Sequence, residues 1–344
     1  MEIDWNDRLI GIKGTRGVGK TTFLLQYAKE KFGTDRSCLF VNMNNFYFSQ
    51  YSLVDFAGEF VKRGGKVLLI DQVFKLPDWS HDLRTCYERY PQLKTVFTGS
   101  SVMRLKDENP ELNGIVKSYN LRGFSFREFL NLQTGNHFSA YTLDEILHNH
   151  EHIVKTILPH INPLNYFQDY IHHGFYPFFL EKRNFSENLL KTMNMMLEVD
   201  VLYIKQIEQS YLPKLRKLLY LLATSAPCTP NVSQLSKDIE TSRATVMNYI
   251  KYLTDARLMN MLYPVGESFP KKPSKVYMYN SNLMYPIRPM EVNVQAVRES
   301  FFYNQLLKDN TLNEGMKNAH FLVNGKYNFR IEESMKVKNN PDLY

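Results

Sequence analysis

Gly14, Gly19, Lys20 and Thr21 stand at the spacing G-x-x-x-x-G-K-[ST], within the stretch Gly14-Thr15-Arg16-Gly17-Val18-Gly19-Lys20-Thr21. That spacing suits the holding of a polyphosphate. The glycines, Gly17 included, let successive backbone N–H groups converge on an anion, and a helix beginning at the lysine points its positive dipole end at the same charge. Lys20 would reach the β- and γ-phosphates and the Thr21 hydroxyl would bind Mg²⁺, with Val18 and Thr22 completing the cradle. Asp71 ends Val67-Leu68-Leu69-Ile70-Asp71-Gln72, a run of four apolar β-type residues closed by an acid. At the C-terminal end of a buried parallel strand such an acid would hold Mg²⁺ opposite Thr21, although a plain turn cap has the same look. Thr98 and Ser100, at the end of Leu93-Lys94-Thr95-Val96-Phe97-Thr98-Gly99-Ser100-Ser101, are candidates for ordering an attacking water beside the γ-phosphate; a hydroxyl-rich turn or helix cap is the alternative.

These groups need a scaffold, and the flanking sequence predicts one. Leu9-Ile10-Gly11-Ile12 reads as a strand, Thr22 to Ala28 as the start of a helix, and Cys38-Leu39-Phe40-Val41-Asn42 as a second buried strand. Ser52 to Val61 carries apolar residues at helical spacing and is stopped by Gly64-Gly65. Strands alternate with helices from residue 9 to about 122, which predicts a mostly parallel α/β sheet with helices on both faces.

At 344 residues the chain exceeds what one core usually organises, so several domains are expected. No apolar run approaches the ~18 residues of a membrane span, and Met1-Glu2-Ile3-Asp4-Trp5 lacks the features of a signal peptide. Cys38, Cys86 and Cys228 are isolated and form no CxxC pair, so they read as reduced thiols. A cytoplasmic protein with no membrane partner is the expectation. The net charge of +7 permits a polyanionic partner without requiring one.

Beyond Phe124 the chain turns helical and aromatic-rich. His148 and His152 are one helical turn apart, but no Cys or carboxylate pair completes a metal-ligand set, so they read as a solvated helix face. From Pro213 to Tyr285 the pattern suggests a winged helix. Leu215 to Leu222 would be its first helix, Val232 to Ile239 its second and Arg243 to Leu253 its recognition helix; Leu258 to Tyr263 and Lys275 to Tyr279 would be the wing strands. Arg243, Thr245 and Asn248, with Lys271 and Lys272 in the wing, are candidates for contact with duplex DNA. Residues 230–285 hold seven Lys and Arg against four Asp and Glu, a mild bias equally consistent with a packing or protein-contact module.

Taken together with Pro77-Asp78-Trp79, the Phe124-Ser125-Phe126-Arg127-Glu128-Phe129 box and Gly174-Phe175-Tyr176-Pro177, these motifs resemble the prokaryotic AAA-type P-loop ATPases that carry a C-terminal domain of unknown function. The resemblance implies an ATPase domain over 1–130, a helical linker over 131–212, a winged helix over 213–288 and a truncated, nuclease-like α+β segment over 289–344. It also implies ATP and Mg²⁺ as cofactors, and a homo-oligomer as a candidate assembly. Two departures stand out. Where such ATPases usually place a glutamate after the metal-binding aspartate, this chain has Gln72, which can position a water but cannot accept its proton. Where they tend to carry an arginine, Leu112-Asn113-Gly114-Ile115 stands. Binding with weak hydrolysis is therefore expected, the nucleotide acting as a conformational switch. In the terminal segment Glu299 remains, but His320 and Arg330 stand where relatives have acids, so nuclease activity is not expected.

Overall fold

The structure is a computed structural model that describes residues 3–103, 105 and 109–332. The far end of the expected terminal segment, 333–344, lies outside the described residues. The chain divides into two compact units, Met1–Gly123 with Val199–Ile207, and Phe124–Glu198 with Glu208–Tyr344.

The first unit is an α/β sheet in the order β2-β3-β4-β1-β5, with every neighbouring pair parallel. Its strands are β1 (Leu9–Gly14), β2 (Cys38–Asn42), β3 (Val67–Asp71), β4 (Lys94–Ser100) and β5 (Lys117–Asn120). All five residues of β3 are buried, which is why this strand reads as an unbroken apolar run. Helices α1 (Lys20–Lys31), α2 (Leu53–Lys62) and α3 (Trp79–Arg89) connect the strands. Helix α2 shows why these segments fold locally. The Ser52 hydroxyl accepts from the Asp55 N–H at 3.0 Å as the N-cap, and Leu53, Val54 and Ala57 are buried at helical spacing. One apolar core, on one sheet face, joins Leu68, Ile70 and Phe97 to Leu53, Leu83 and Cys86; a second joins Ile10, Ile12, Leu69 and Val96 to Leu24.

The second unit opens with the helices α4 (Phe126–Thr134), α5 (Leu143–Ile157), α6 (Leu164–Asp169) and α7 (Phe185–Met195). Helices α8 (Leu212–Ser225), α9 (Val232–Asp238) and α10 (Arg243–Asp255) follow, then the antiparallel hairpin β6 (Met259–Leu262) and β7 (Lys275–Met278). After α11 (Met284–Ile287) and α12 (Val294–Leu306) comes a sheet of β8 (Leu312–Glu314), β9 (Phe321–Val323) and β10 (Tyr327–Phe329). Leu262 and Tyr277 of the β6/β7 hairpin share one core with Tyr303, Phe321, Val323, Tyr327 and Phe329. The hairpin and the terminal strands are therefore held by the same buried surface. Among the described residues no helix is long and apolar enough to cross a membrane.

Candidate functional site

The glycine loop leaves β1 at Gly14 and enters α1 at Lys20, the strand–loop–helix order that the spacing predicts. Gly17 and Gly19 have φ of +85° and +90°, a left-handed backbone that side chains with a Cβ rarely adopt. Gly14 is glycine for a different reason: a Cβ there would lie 2.3 Å from the carbonyl oxygen of Leu121. The Lys20 ammonium folds back over the loop and donates to the carbonyls of Gly14 and Thr15, each at 2.8 Å. Burial lowers its pKa to about 8; the nearby Asp200 and Asp71 carboxylates pull upward and the Arg16 guanidinium pushes further down.

Asp71, 1% exposed, gathers the other candidates. Its Oδ2 accepts from Thr21 Oγ1 at 3.0 Å and from Asn42 Nδ2 at 2.9 Å, and its Oδ1 accepts from Thr98 Oγ1 at 2.6 Å. The Thr98 hydroxyl in turn accepts from the backbone N–H of Gln72 at 2.9 Å. Gln72 itself sits at φ +57°, so the chain bends sharply straight after the acid. The parallel register supplies the reason for this convergence: Asn42 is the direct partner of Asp71 at the strand ends, and β4 with Thr98 lies between β3 and β1. Ser100 is held apart from this network. It is buried as the last residue of β4, where its Oγ accepts from the Val102 N–H at 3.4 Å. Asp78 is exposed at the start of α3.

A hydroxyl and a carboxylate 3.0 Å apart, both hard oxygen donors, fit Mg²⁺, which takes few protein ligands and fills its shell with water and phosphate oxygens. Sequence reasoning missed two members of the site. Asn42 carried a usable signal, being a polar residue at the end of an apolar strand, like Asp71. Asp200 carried none: its Oδ2 accepts from Arg16 Nε at 3.1 Å across 184 residues of chain.

Residues 6–130 match the family described as an AAA domain. Over this stretch the chain is similar to that family. Residues 164–291 match a family described as a domain of unknown function (DUF8612), spanning α6 to α11. The chain is 28% identical over 288 residues to the uncharacterized protein MJ1637 of Methanocaldococcus jannaschii, covering 78% of this chain and 60% of that one. It thus spans less than two thirds of that relative's length. Among solved structures, a RuvB variant from Thermotoga maritima aligns at 13% identity and a TM-score of 0.34, over 74% of this chain and 82% of that one. AMPPCP-bound DnaA from Aquifex aeolicus aligns at 12% identity and a TM-score of 0.28, over 72% and 82%.

The remaining candidates lie in the second unit. Arg243 and Asn248 are exposed on α10, whose opposite side buries Val246, Tyr249, Ile250 and Leu253. Thr245 is taken up by the helix cap, its N–H donating to Ser242 Oγ at 3.1 Å and the two hydroxyls lying 2.8 Å apart. Lys271 and Lys272 are exposed in the β6/β7 loop, where Lys271 pairs with Glu267 at 2.8 Å. His148 and His152 are exposed on α5. Glu299 is buried, accepting from Tyr277 OH at 3.2 Å and from Gln295 Nε2 at 3.1 Å, with His320 Nε2 at 3.9 Å. Arg330 pairs with Glu332 at 2.6 Å.

Proposed function

We propose that the AAA domain binds Mg-ATP and hydrolyses it weakly, with occupancy of the site acting as a conformational switch. The observation that carries this reading is the Thr21–Asp71 pair at 3.0 Å, in which the buried carboxylate meets the exposed hydroxyl directly behind a glycine loop that ends in Lys20. Bound Mg-ATP would supply the charged, scissile phosphoanhydride and a cation to organise its oxygens. The protein's own part is to bind and orient. Backbone N–H groups of Gly17 to Thr22 converge at the start of α1, and Lys20 adds a positive charge. Thr21 and Asp71 would hold the cation, while Asn42 and Thr98 keep the Asp71 carboxylate aimed. Gln72 follows Asp71 as the residue nearest in sequence to a water-activating position, and its amide cannot take the proton. General-base catalysis contributes roughly 10²–10⁴ in rate, so its loss leaves binding intact and turnover slow. In the stretch Leu112-Asn113-Gly114-Ile115, where relatives tend to carry an arginine, Leu112 is fully buried in the apolar core.

Equilibrium titration with Mg-ATP, followed by phosphate release on the same sample, tests this reading. Lys20→Ala should abolish binding, and Gln72→Glu should raise turnover by about 10² or more. Turnover indifferent to Gln72→Glu would point to another base, such as Asp78. No binding at millimolar nucleotide would remove the reading.

A second reading draws on α10. We read α8 to α10 with the β6/β7 hairpin as a winged helix whose exposed Arg243 and Asn248, with Lys271 and Lys272, contact duplex DNA. Salt-dependent duplex binding that weakens on Arg243→Ala would support it.

A further inference from the structure

Two cations of the glycine loop have a counter-ion drawn from far along the chain. Asp200 lies in a π-helical segment, Met196–Tyr203, a geometry that recurs at functional positions. Its carboxylate is 5% exposed and meets Arg16 Nε at 3.1 Å. It is also the strongest charged influence on Lys20, ahead of Asp71. The segment that presents it is docked: Val199 and Ile204 pack on the core under the sheet, and the Lys75 ammonium sits 5.4 Å from the Tyr203 ring centre. Val199–Ile207 belongs to the first unit, whereas the chain on both sides of it belongs to the second.

A buried carboxylate beside a phosphate-binding loop opposes the charge that the loop is built to hold. Arg16 compensates Asp200 as the structure stands. A triphosphate brings several negative charges to the same loop, and it must draw Arg16 away from Asp200. We propose that Asp200 is a resident counter-anion of the phosphate loop, competing with a nucleoside triphosphate for Arg16, so that nucleotide binding loosens Val199–Ile207. The proposal rests on the reading of the loop as a nucleotide site. It makes Asp200 a tuner of affinity, and it makes the segment 199–207 the element that registers occupancy.

The test uses the full chain with Mg-ATP, Mg-ADP and adenosine as probes. Asp200→Asn keeps the side-chain size and removes the charge. It should bind Mg-ATP about tenfold tighter than the wild type, Mg-ADP less so and adenosine no differently, since the effect scales with phosphate charge. In the unsubstituted protein, saturating Mg-ATP should raise hydrogen exchange across Val199–Ile207, a readout that needs no variant to fold. Unchanged or weaker Mg-ATP affinity in Asp200→Asn, or unchanged exchange in 199–207 while the wild type binds and Lys20→Ala does not, overturns the proposal and leaves the nucleotide site standing. If neither wild type nor Asp200→Asn binds at millimolar nucleotide, both readings fall together.

Discussion

Asp71 takes three side-chain donors on two oxygens, and the one that sequence reasoning did not name, Asn42, yields the sharpest test of how the carboxylate is aimed. Asn42→Ala removes a donor without touching the glycine loop. Mg-dependent ATP affinity should fall about tenfold, the usual scale for a group that orients a metal ligand, while metal-free ATP affinity stays where it was. Titrating Mg²⁺ at fixed ATP measures this. Lys20 gives a second test. Burial holds its pKa down at about 8, and only the ammonium form attracts phosphate. Below pH 8 Mg-ATP affinity should be flat. Above it, affinity should decline as the free protein's amine loses its proton, by up to about tenfold per pH unit, and calorimetry in buffers of different ionisation enthalpy should show proton uptake on binding.

At the scale of elements, the glycine loop is fixed by backbone contacts as much as by its own sequence. Gly14→Ala would drive a Cβ into the Leu121 carbonyl, a backbone atom that cannot swing aside as a side chain would. A cost of about 1–3 kcal/mol is expected, read as a lowered denaturation midpoint, together with weakened Mg-ATP binding. Gly17 and Gly19 were legible as glycines of a phosphate loop; the reason for Gly14 was not, because Leu121 lies on the far side of β5 in sequence and meets the loop only when β1 and β5 pair. Strand β3 was legible for the opposite reason. A strand buried on both faces must be apolar throughout, and its terminal acid then stands out.

Over the whole molecule, the second unit draws its hairpin and terminal strands into one core. Phe321 is fully buried there with Leu262 and Tyr277, so Phe321→Ala should destabilise this unit by about 3–5 kcal/mol and raise hydrogen exchange in β6 and β7 as well as β9. Residues on both sides of position 288 contribute to this core. Periodicity within each stretch gave no sign of that, since burial against a distant segment leaves the same apolar pattern as burial against a near one. The α/β class, the glycine loop and the Asp71 strand were written in local sequence, because each depends on residue types within a few positions of one another. Asn42 and Thr98 meeting at Asp71, Gly14 yielding to Leu121, and Asp200 returning to Arg16 were settled by the fold. Each is a contact between segments whose separation along the chain carries no information about their distance in space until the sheet has paired and the later helices have packed.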